Sequence, residues 1–236
     1  MLSNLFANGL SSPEALKAFR MFLVAVVPAM LGIILHEVAH GYIAWRHGDP
    51  TAKALGRLTL NPLRHIDPMG LLVFVVTSVS GAFVFGWAKP VPVNPRYFRN
   101  PAKGMMWTAL AGPMTNFILV AVFTLLLWLM VHVAPQSFWA AWKNGDAFSP
   151  ERLLISSLQA GIMINLGLAW LNLLPIPPLD GSKILAYFLP QQARFSFLRL
   201  ERYGFLILIV LLFTHALDKI LSPLIRGSAD WLLQLI

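Results

Sequence analysis

The sequence predicts an all-α polytopic membrane protein, because of its composition and the length of its apolar runs. Of the 236 residues, 57% are hydrophobic and only 12% are charged, about half the charged share of a soluble domain. No Asp, Glu, Lys or Arg occurs between Lys103 and Lys143, or between Arg152 and Asp180. A membrane-spanning helix needs about 20 apolar residues, and these stretches are longer. An ordinary soluble globular protein is therefore excluded.

The apolar runs predict about four to five transmembrane helices. The first run covers residues 21–45, and Pro28 within it is expected to kink the helix because it removes one backbone hydrogen bond. Residues 105–133 and 153–174 are also long enough to cross. The run at 203–217 is only marginally long, so we expect it to cross near the edge of the membrane.

Residues outside these runs are expected at the membrane surface. Residues 1–20 lack the basic start and small-residue cleavage site of a signal peptide, and they predict a short surface helix with Pro13 in its first turn. A second surface helix is predicted at 222–236. We interpret the whole chain as one membrane-embedded domain, with a core at 21–181 and C-terminal helices at 182–236.

Cysteine usage and charge restrict the possible functions further. The chain has no cysteine, which excludes disulfides, thiolate metal sites and cysteine nucleophiles. The formal net charge is +8, but the basic residues lie mainly between the apolar runs, without a basic tail or stripe. Anionic lipid headgroups are therefore the expected partner, and nucleic acid is not expected.

Residues 36–40 read HEVAH inside the first predicted transmembrane helix. His36 and His40 lie on one helix face, about 6 Å apart along the axis, so both imidazoles can reach one zinc ion. Glu37 then stands beside the metal, where it can take a proton from zinc-bound water. A carboxylate in an apolar helix is costly and usually indicates function. The alternative is a buried polar cluster that joins helices by hydrogen bonds.

Residues 172–181 read NLLPIPPLDG and contain a candidate third ligand. A catalytic zinc generally has three protein ligands and one open position. Asp180 is the only acidic residue between Glu151 and Glu201. The prolines end the helix and Gly181 permits a tight turn, so we expect Asp180 at the membrane edge. The alternative is a proline-rich helix stop in which Asp180 caps the following segment.

These two segments resemble the signatures of the site-2 protease family of intramembrane zinc metalloproteases, HExxH and NxxPxPxLDG. The resemblance implies one zinc ion per chain, held by His36, His40 and Asp180. It also implies that Glu37 is the general base. Asn172 is implied to help hold the substrate or the developing oxyanion.

A third pattern of the family, Gly-Pro-x-x-Asn, is matched by Gly112, Pro113 and Asn116. We interpret it mainly as helix packing, because small residues let membrane helices approach closely. Asn116 is in addition a candidate substrate-binding residue, together with Gly81 and Phe83.

Two loop sequences extend the resemblance to the compact bacterial branch of the family. They are GRLTLNPLRHIDPMG and GWAKPVPVNP. About fifty residues follow Gly181, and they include an apolar run. We therefore expect neither a PDZ insertion nor a C-terminal nucleotide-binding (CBS) module.

The remaining histidines are weaker candidates. His65 precedes Asp67 in a proline-flanked loop and could be a fourth metal ligand, a gate residue or a satisfied loop histidine, of which we favour the last. His47, His132 and His215 have no partner at metal-binding spacing, so we interpret them as packing or interface residues.

A shared zinc ion constrains the path of the chain. The helix ends that carry the two motifs must lie at similar depth, so residues 46–103 must leave and return on one side of the membrane. We therefore predict that the uncharged run at 68–88 does not cross but forms, near 68–93, a re-entrant and partly extended segment. Such backbone is tolerated only against protein or a wet cavity. It should line the active site, where its edge could pair with an unwound substrate.

Charge counts orient the molecule. Residues 46–103 and 175–202 hold eight and four Lys or Arg, whereas residues 1–20, 134–152 and 218–236 together hold six. By the positive-inside rule, the zinc site faces the cytoplasmic side of a cell membrane.

Together these features predict a bacterial zinc endopeptidase that hydrolyses a peptide bond in or near a transmembrane segment of another protein, as in regulated intramembrane proteolysis. Water must reach the metal through a polar channel, and the substrate helix must unwind before cleavage. The alternatives are a catalytically inactive protease-like scaffold and a membrane metal carrier. A carrier needs ligands but no base, so Glu37 between the two histidines favours the enzyme.

Overall fold

The computed structural model describes residues 13–70, 72, 73, 76 and 88–234, and its regular structure is helical. In chain order the helices are α1 (Pro13–Arg46), α2 (Thr51–Ala54), α3 (Pro101–Val133), α4 (Gln136–Asn144), α5 (Pro150–Leu173), α6 (Asp180–Phe188), α7 (Gln191–Leu198), α8 (Gly204–Phe213) and α9 (Ala216–Leu233). Short 3-10 turns occur at Pro62–Arg64, Pro95–Tyr97 and Arg199–Tyr203. Among the described residues, β pairing is limited to one bridge between Ile66 and Ala88. The predicted all-α fold is confirmed.

Three of these helices, α1, α3 and α5, are long and apolar enough to cross a membrane. The segments Gln191–Phe213 and Ala216–Leu232 meet the same criterion together, although they are bent by 77°. Counted as one broken span, this pair raises the number of candidate spans in the described part of the chain to four. The predicted polytopic architecture is therefore confirmed.

The C-terminal region differs from the single crossing predicted at 203–217. Helix α8 has only ten residues, or about 15 Å, which is half of the roughly 30 Å hydrocarbon thickness. It ends before His215, whose φ of 54° is left-handed. A right-handed helix cannot continue through that conformation, so the apolar run is divided between two helices.

The N-terminal region is also simpler than predicted. Residues 13–20 do not form a separate surface helix but are continuous with the spanning part of α1. Between Glu14 and Val27 no glycine or proline interrupts the chain, and most of the residues there are good helix formers. Pro28 lies inside α1, and the helix continues beyond it to Arg46.

The bundle core lies between α1, α3 and α5, which contact one another pairwise. Glycines permit the close approach. A Cβ on Gly161 of α5 would lie 2.8 Å from the Phe123 ring of α3, and a Cβ on Gly32 of α1 would lie 2.6 Å from Asn165 Oδ1 of α5. Close packing of this kind drives helix association in a membrane, because lipid tails are as apolar as the side chains and leave no hydrophobic driving force between helices. Apolar side chains fill the α3–α5 interface, including Val120, Phe123, Leu127, Ile155, Leu158, Ile162 and Leu166.

The two ends of the predicted re-entrant segment meet. Ile66 and Ala88 form an antiparallel bridge, and the Lys89 N–H donates to the His65 carbonyl oxygen at 2.8 Å. A path that leaves and returns on one side of the membrane requires such a meeting. Most of the interior of this segment, including the candidate residues Gly81 and Phe83, lies outside the described residues.

Buried polar side chains from the loop after α1 hold the returning chain, residues 88–94. Asp49 is fully buried, and its Oδ2 accepts the Asn94 N–H at 2.6 Å. Arg57 is also buried, and its Nη2 donates to the Lys89 carbonyl oxygen at 2.7 Å. The returning chain is thereby fixed at both ends beside α1.

Candidate metal centre

Three buried side chains from distant parts of the sequence converge at the end of the bundle. His36 and His40 come from α1, and Asp180 is the first residue of α6. Both imidazole Nε2 atoms lie 3.2 Å from Asp180 Oδ2. One ligand atom from each residue lies within 4.8 Å of the other two. Three converging N and O donors suit a tetrahedral zinc ion with one position left for water or substrate.

The state of Asp180 fits a bound cation. Its Oδ2 atom is buried and has no hydrogen-bond partner among the described residues, which is costly for a carboxylate unless a cation compensates it. An ionised carboxylate is the form of aspartate that ligates a metal.

Hydrogen bonds behind the imidazoles determine their tautomers. His36 Nδ1 lies 2.6 Å from Asn116 Oδ1, and His40 Nδ1 lies 2.7 Å from the Thr108 carbonyl oxygen. Both partners can only accept, so each Nδ1 carries the proton and donates it. The two Nε2 lone pairs are left free on the side of Asp180, which is the arrangement that metal-binding histidines require.

Asn116 is itself fixed by two neighbouring helices. Its Nδ2 donates to the Gly32 carbonyl oxygen in α1 at 3.2 Å and to Asn165 Oδ1 in α5 at 2.9 Å. Asn116 and Asn165 are both 0% exposed. Asn116 therefore supports His36 and has no exposed surface for the substrate contact predicted for it.

Gly112 leaves room for the imidazoles of His36 and His40. A Cβ at this position would lie 2.5 Å from His36 Nε2 and 2.6 Å from His40 Cε1, well inside van der Waals contact. The Gly-Pro-x-x-Asn pattern thus packs α3 against α1, as interpreted from the sequence, and the packing occurs directly against the imidazoles.

The proline-rich turn brings Asp180 back under the end of α5. A Cβ on Gly181 would clash with the carbonyl oxygens of Leu173 and Leu174. Only glycine permits this approach of the first turn of α6 to the last turn of α5. Leu179 precedes α6 at its N-cap position, and no side chain caps the helix there. The carboxylate of Asp180 faces the histidines instead, so the capping alternative does not describe it.

Glu37 follows the first ligand and contacts the returning chain. Its Oε2 accepts the backbone N–H of Val91 at 2.8 Å. Val91 is buried, and its Cγ1 would lie 2.9 Å from a Cβ on Gly41. The described part of the predicted extended segment therefore does lie against α1, next to the glutamate of HEVAH.

Two other candidate residues, Asn172 and His65, hydrogen-bond backbone carbonyl oxygens outside the group of His36, His40 and Asp180. Asn172 donates its Nδ2 to the Leu168 carbonyl oxygen of its own helix at 3.0 Å, a bond that does not involve the three converging ligands. His65 is buried, and its Nε2 lies 2.8 Å from the Thr59 carbonyl oxygen. That bond occupies one ring nitrogen, while Nδ1 is buried without a hydrogen-bond partner among the described residues, so the loop histidine favoured from the sequence is only partly satisfied.

Sequence reasoning missed Asn165 and Thr108. Asn165 carried a signal, because an amide in the middle of an apolar spanning run is expensive unless it is hydrogen-bonded and often marks a site. Thr108 carried none, since it contributes a backbone carbonyl oxygen that any residue type would offer.

Comparison with known proteins agrees with this geometry. The model of Peptidase family M50 matches residues 22–215. The chain is 37% identical over 211 residues to "Putative zinc metalloprotease YwhC" of Bacillus subtilis, with 89% of each chain covered. It is 31% identical over 214 residues to "Putative zinc metalloprotease Rip2" of Mycolicibacterium smegmatis, covering 89% of this chain and 74% of the relative.

A third relative is "Putative zinc metalloprotease MJ0611" of Methanocaldococcus jannaschii, which is 30% identical over 167 residues with 71% of each chain covered. No solved structure matches the chain. The family match covers most of the chain, and it includes both HEVAH and the segment that ends at Gly181. The chain therefore belongs to Peptidase family M50, the site-2 protease family, and is a zinc metalloendopeptidase.

Proposed function

We propose that this metalloendopeptidase hydrolyses a peptide bond in or near a transmembrane segment of another membrane protein, as in regulated intramembrane proteolysis. The position of the metal centre beside a spanning helix carries the proposal. His36 lies ten residues before the end of α1 at Arg46, which is about 15 Å along the helix axis, and α1 is long and apolar enough to cross a membrane. A site built on such a helix is within reach of a membrane-embedded peptide.

The proposed metal ligands are His36, His40 and Asp180, with one zinc ion per chain. When bound there, zinc supplies a Lewis acid that polarises the scissile carbonyl group and lowers the pKa of a coordinated water to about 7. Support comes from the free Nε2 atoms and from the buried Asp180 Oδ2, for which the described part of the chain offers no hydrogen-bond partner.

Glu37 is the proposed general base. Its Oε2 accepts the Val91 N–H, which holds the carboxylate in one orientation and leaves Oε1 to take the proton of the attacking water. The same carboxyl group can then return the proton to the leaving amine. Asn172 is proposed to hold the substrate or to donate to the developing oxyanion. For either role its Nδ2 must leave the Leu168 carbonyl oxygen.

The returning chain at 88–94 is the proposed docking edge for the substrate. It lies beside Glu37 and is fixed through Lys89 and Asn94. A substrate segment must unwind to expose its peptide groups, and its N–H groups can then bond the carbonyl oxygens of this edge. The edge acts mainly as an acceptor, because Pro90 and Pro92 have no N–H and the Val91 N–H is bonded to Glu37. Gly81 and Phe83 are proposed as further substrate contacts on the same segment.

We also propose a location in a bacterial cell membrane, with the metal centre toward the cytoplasm. The excess of Lys and Arg in residues 46–103 and 175–202 supports this orientation through the positive-inside rule. Water then enters from the cytoplasmic side. The bacterial relatives in Bacillus and Mycolicibacterium support the bacterial origin.

The test uses purified protein in vesicles with a substrate that has a single transmembrane segment and a tag at each end. We expect cleavage within or near that segment, faster when it contains helix-breaking residues. Glu37→Gln should abolish cleavage, and Glu201→Gln, at an exposed acidic position, should leave it unchanged. Cleavage that is confined to soluble peptides, or that is equally fast without helix breakers, would overturn the proposal.

The same vesicles separate the enzyme from a metal carrier. A carrier would move zinc across the bilayer with Glu37→Gln as well as with the natural sequence, because transport needs the ligands and no base. We expect no zinc uptake by either protein. Transport that persists in Glu37→Gln, without any proteolysis by the natural sequence, would favour the carrier.

A further inference from the structure

A continuous chain of hydrogen bonds runs from the metal centre across three helices. His36 Nδ1 donates to Asn116 Oδ1 at 2.6 Å, and Asn116 Nδ2 donates to Asn165 Oδ1 at 2.9 Å. Asn165 Nδ2 in turn donates to the Gly161 carbonyl oxygen one turn earlier in α5, at 2.9 Å. Within the described residues, the hydrogen-bonded path from Asn165 to His36 thus runs through Asn116.

The pattern of donors and acceptors allows one orientation of each amide. The Gly161 carbonyl oxygen can only accept, so Asn165 must direct Nδ2 toward it and Oδ1 toward Asn116. Asn116 then faces two acceptors at one end, the Gly32 carbonyl oxygen and Asn165 Oδ1. It must place Nδ2 there, which leaves Oδ1 for His36.

Burial prevents water from replacing any of these partners. Asn116 and Asn165 are 0% exposed, and a Cβ on Gly32 would lie only 2.6 Å from Asn165 Oδ1. A flipped Asn116 amide would point its Oδ1 at two other oxygen atoms, in a place that water does not reach, so the flipped orientation is strongly disfavoured.

We propose that Asn165 is a positioning residue for the metal centre. Its Oδ1 orients the Asn116 amide, and the amide in turn keeps the proton of His36 on Nδ1 and the Nε2 lone pair free for zinc. The inference rests on the proposed role of His36 as a zinc ligand. Asn165 makes no hydrogen bond to His36, His40 or Asp180 in the described part of the chain, so its hydrogen-bonded link to the metal centre runs through Asn116.

A purely structural role for Asn165 makes a different prediction. If the amide only stabilises the packing of α5 against α1 and α3, its replacement lowers the melting temperature and leaves the zinc affinity of the folded protein unchanged. A positioning role lowers the affinity of the folded protein. Loss of an outer hydrogen bond to a metal ligand commonly weakens metal binding by about 10- to 100-fold.

The experiment measures zinc affinity in the full-length, detergent-purified protein by competition with a chromophoric chelator. Three variants at this position separate the contributions. Asn165→Ser can still bond the Gly161 carbonyl oxygen from its own helix but is too short to reach Asn116. Asn165→Leu fills the space without an acceptor. Asn165→Asp, when protonated, reproduces both the acceptor and the donor.

The matched control is Thr124→Val, which removes a buried hydroxyl of α3 about two turns from Asn116. The Thr124 Oγ1 atom has no hydrogen-bond partner among the described residues, so this change should not affect zinc. The visible spectrum of the cobalt-substituted protein provides a second readout, because it reports the ligand geometry at the metal directly.

We expect Asn165→Ser and Asn165→Leu to bind zinc about 10- to 100-fold more weakly and to change the cobalt spectrum. Asn165→Asp and Thr124→Val should resemble the natural sequence. If either Ser or Leu at this position retains full affinity, or if Asp loses as much as Leu, the inference is overturned. If the natural sequence binds no zinc, the proposed ligand set fails as well, so the two failures are distinguishable.

Discussion

Val91 donates its backbone N–H to Oε2 of Glu37 at 2.8 Å, although the two residues are 54 positions apart in the chain. The contact joins the glutamate of HEVAH to the chain that returns from the re-entrant segment. The proposed general base and the proposed substrate edge are thus parts of one hydrogen-bonded unit. A change at the edge should therefore alter catalysis without altering the metal.

The Val91–Glu37 contact can be removed at the backbone. Val91→Pro eliminates the N–H, and the neighbouring Pro90 and Pro92 already favour extended chain that accepts proline. We expect the rate of cleavage to fall by about tenfold, as for a lost charge-assisted hydrogen bond of about 1.5 kcal/mol, while zinc is retained. Val91→Ala is the control, because it shortens the side chain and keeps the N–H. Equal rates for the two variants would contradict the assignment.

The ligand set is tested by zinc content. We expect one zinc per chain in the purified natural sequence and in Glu37→Gln, measured by elemental analysis. Asp180→Ala should lose the metal or bind it far more weakly, because it removes one of the three proposed ligands. His65→Ala should keep it, since His65 bonds the Thr59 carbonyl oxygen. Undiminished zinc in Asp180→Ala would mean that the third ligand is a different residue.

Gly112 offers a test of space at the metal centre. Gly112→Ala places a methyl group within 2.5 Å of His36 Nε2, and relief of such overpacking costs about 1–3 kcal/mol. Because the clash falls on the ligands, we expect zinc affinity to fall by about tenfold or more. Gly227→Ala is the matched control, since nothing lies within 4 Å of a Cβ there. A tight zinc complex of Gly112→Ala would show that the imidazoles move away without cost.

Arg57 tests whether the returning chain must be anchored. Its Nη2 bonds the Lys89 carbonyl oxygen, so Arg57→Leu should loosen the edge beside Glu37. We expect a higher KM and a lower kcat for the transmembrane substrate with the zinc content unchanged. Arg57→Lys retains a donor and should recover part of the activity. If Arg57→Leu loses zinc as well, its role is in folding of the whole centre.

The sequence predicted the elements whose determinants are local. The lengths of the apolar runs predicted α1, α3 and α5, because hydrocarbon thickness sets the length of a span. The predicted run at 203–217 is divided between α8 and α9, because one residue, His215, adopts a left-handed conformation that apolar content does not report. The predicted separate surface helix near Pro13 was wrong, because residues 13–20 belong to α1. The sequence becomes more apolar after residue 20, but its helix propensity stays high, so the helix does not end there.

The spacing in HEVAH by itself determined that His36 and His40 share a helix face, because 3.6 residues complete one turn. Only the tertiary structure decided what stands behind and beside them. The bond from His36 to Asn116 spans 80 positions, and Asn116 is bound in turn by Asn165. These partners depend on where α1, α3 and α5 cross, and the crossing is determined by the packing of many side chains. Periodicity along one helix carries no information about it.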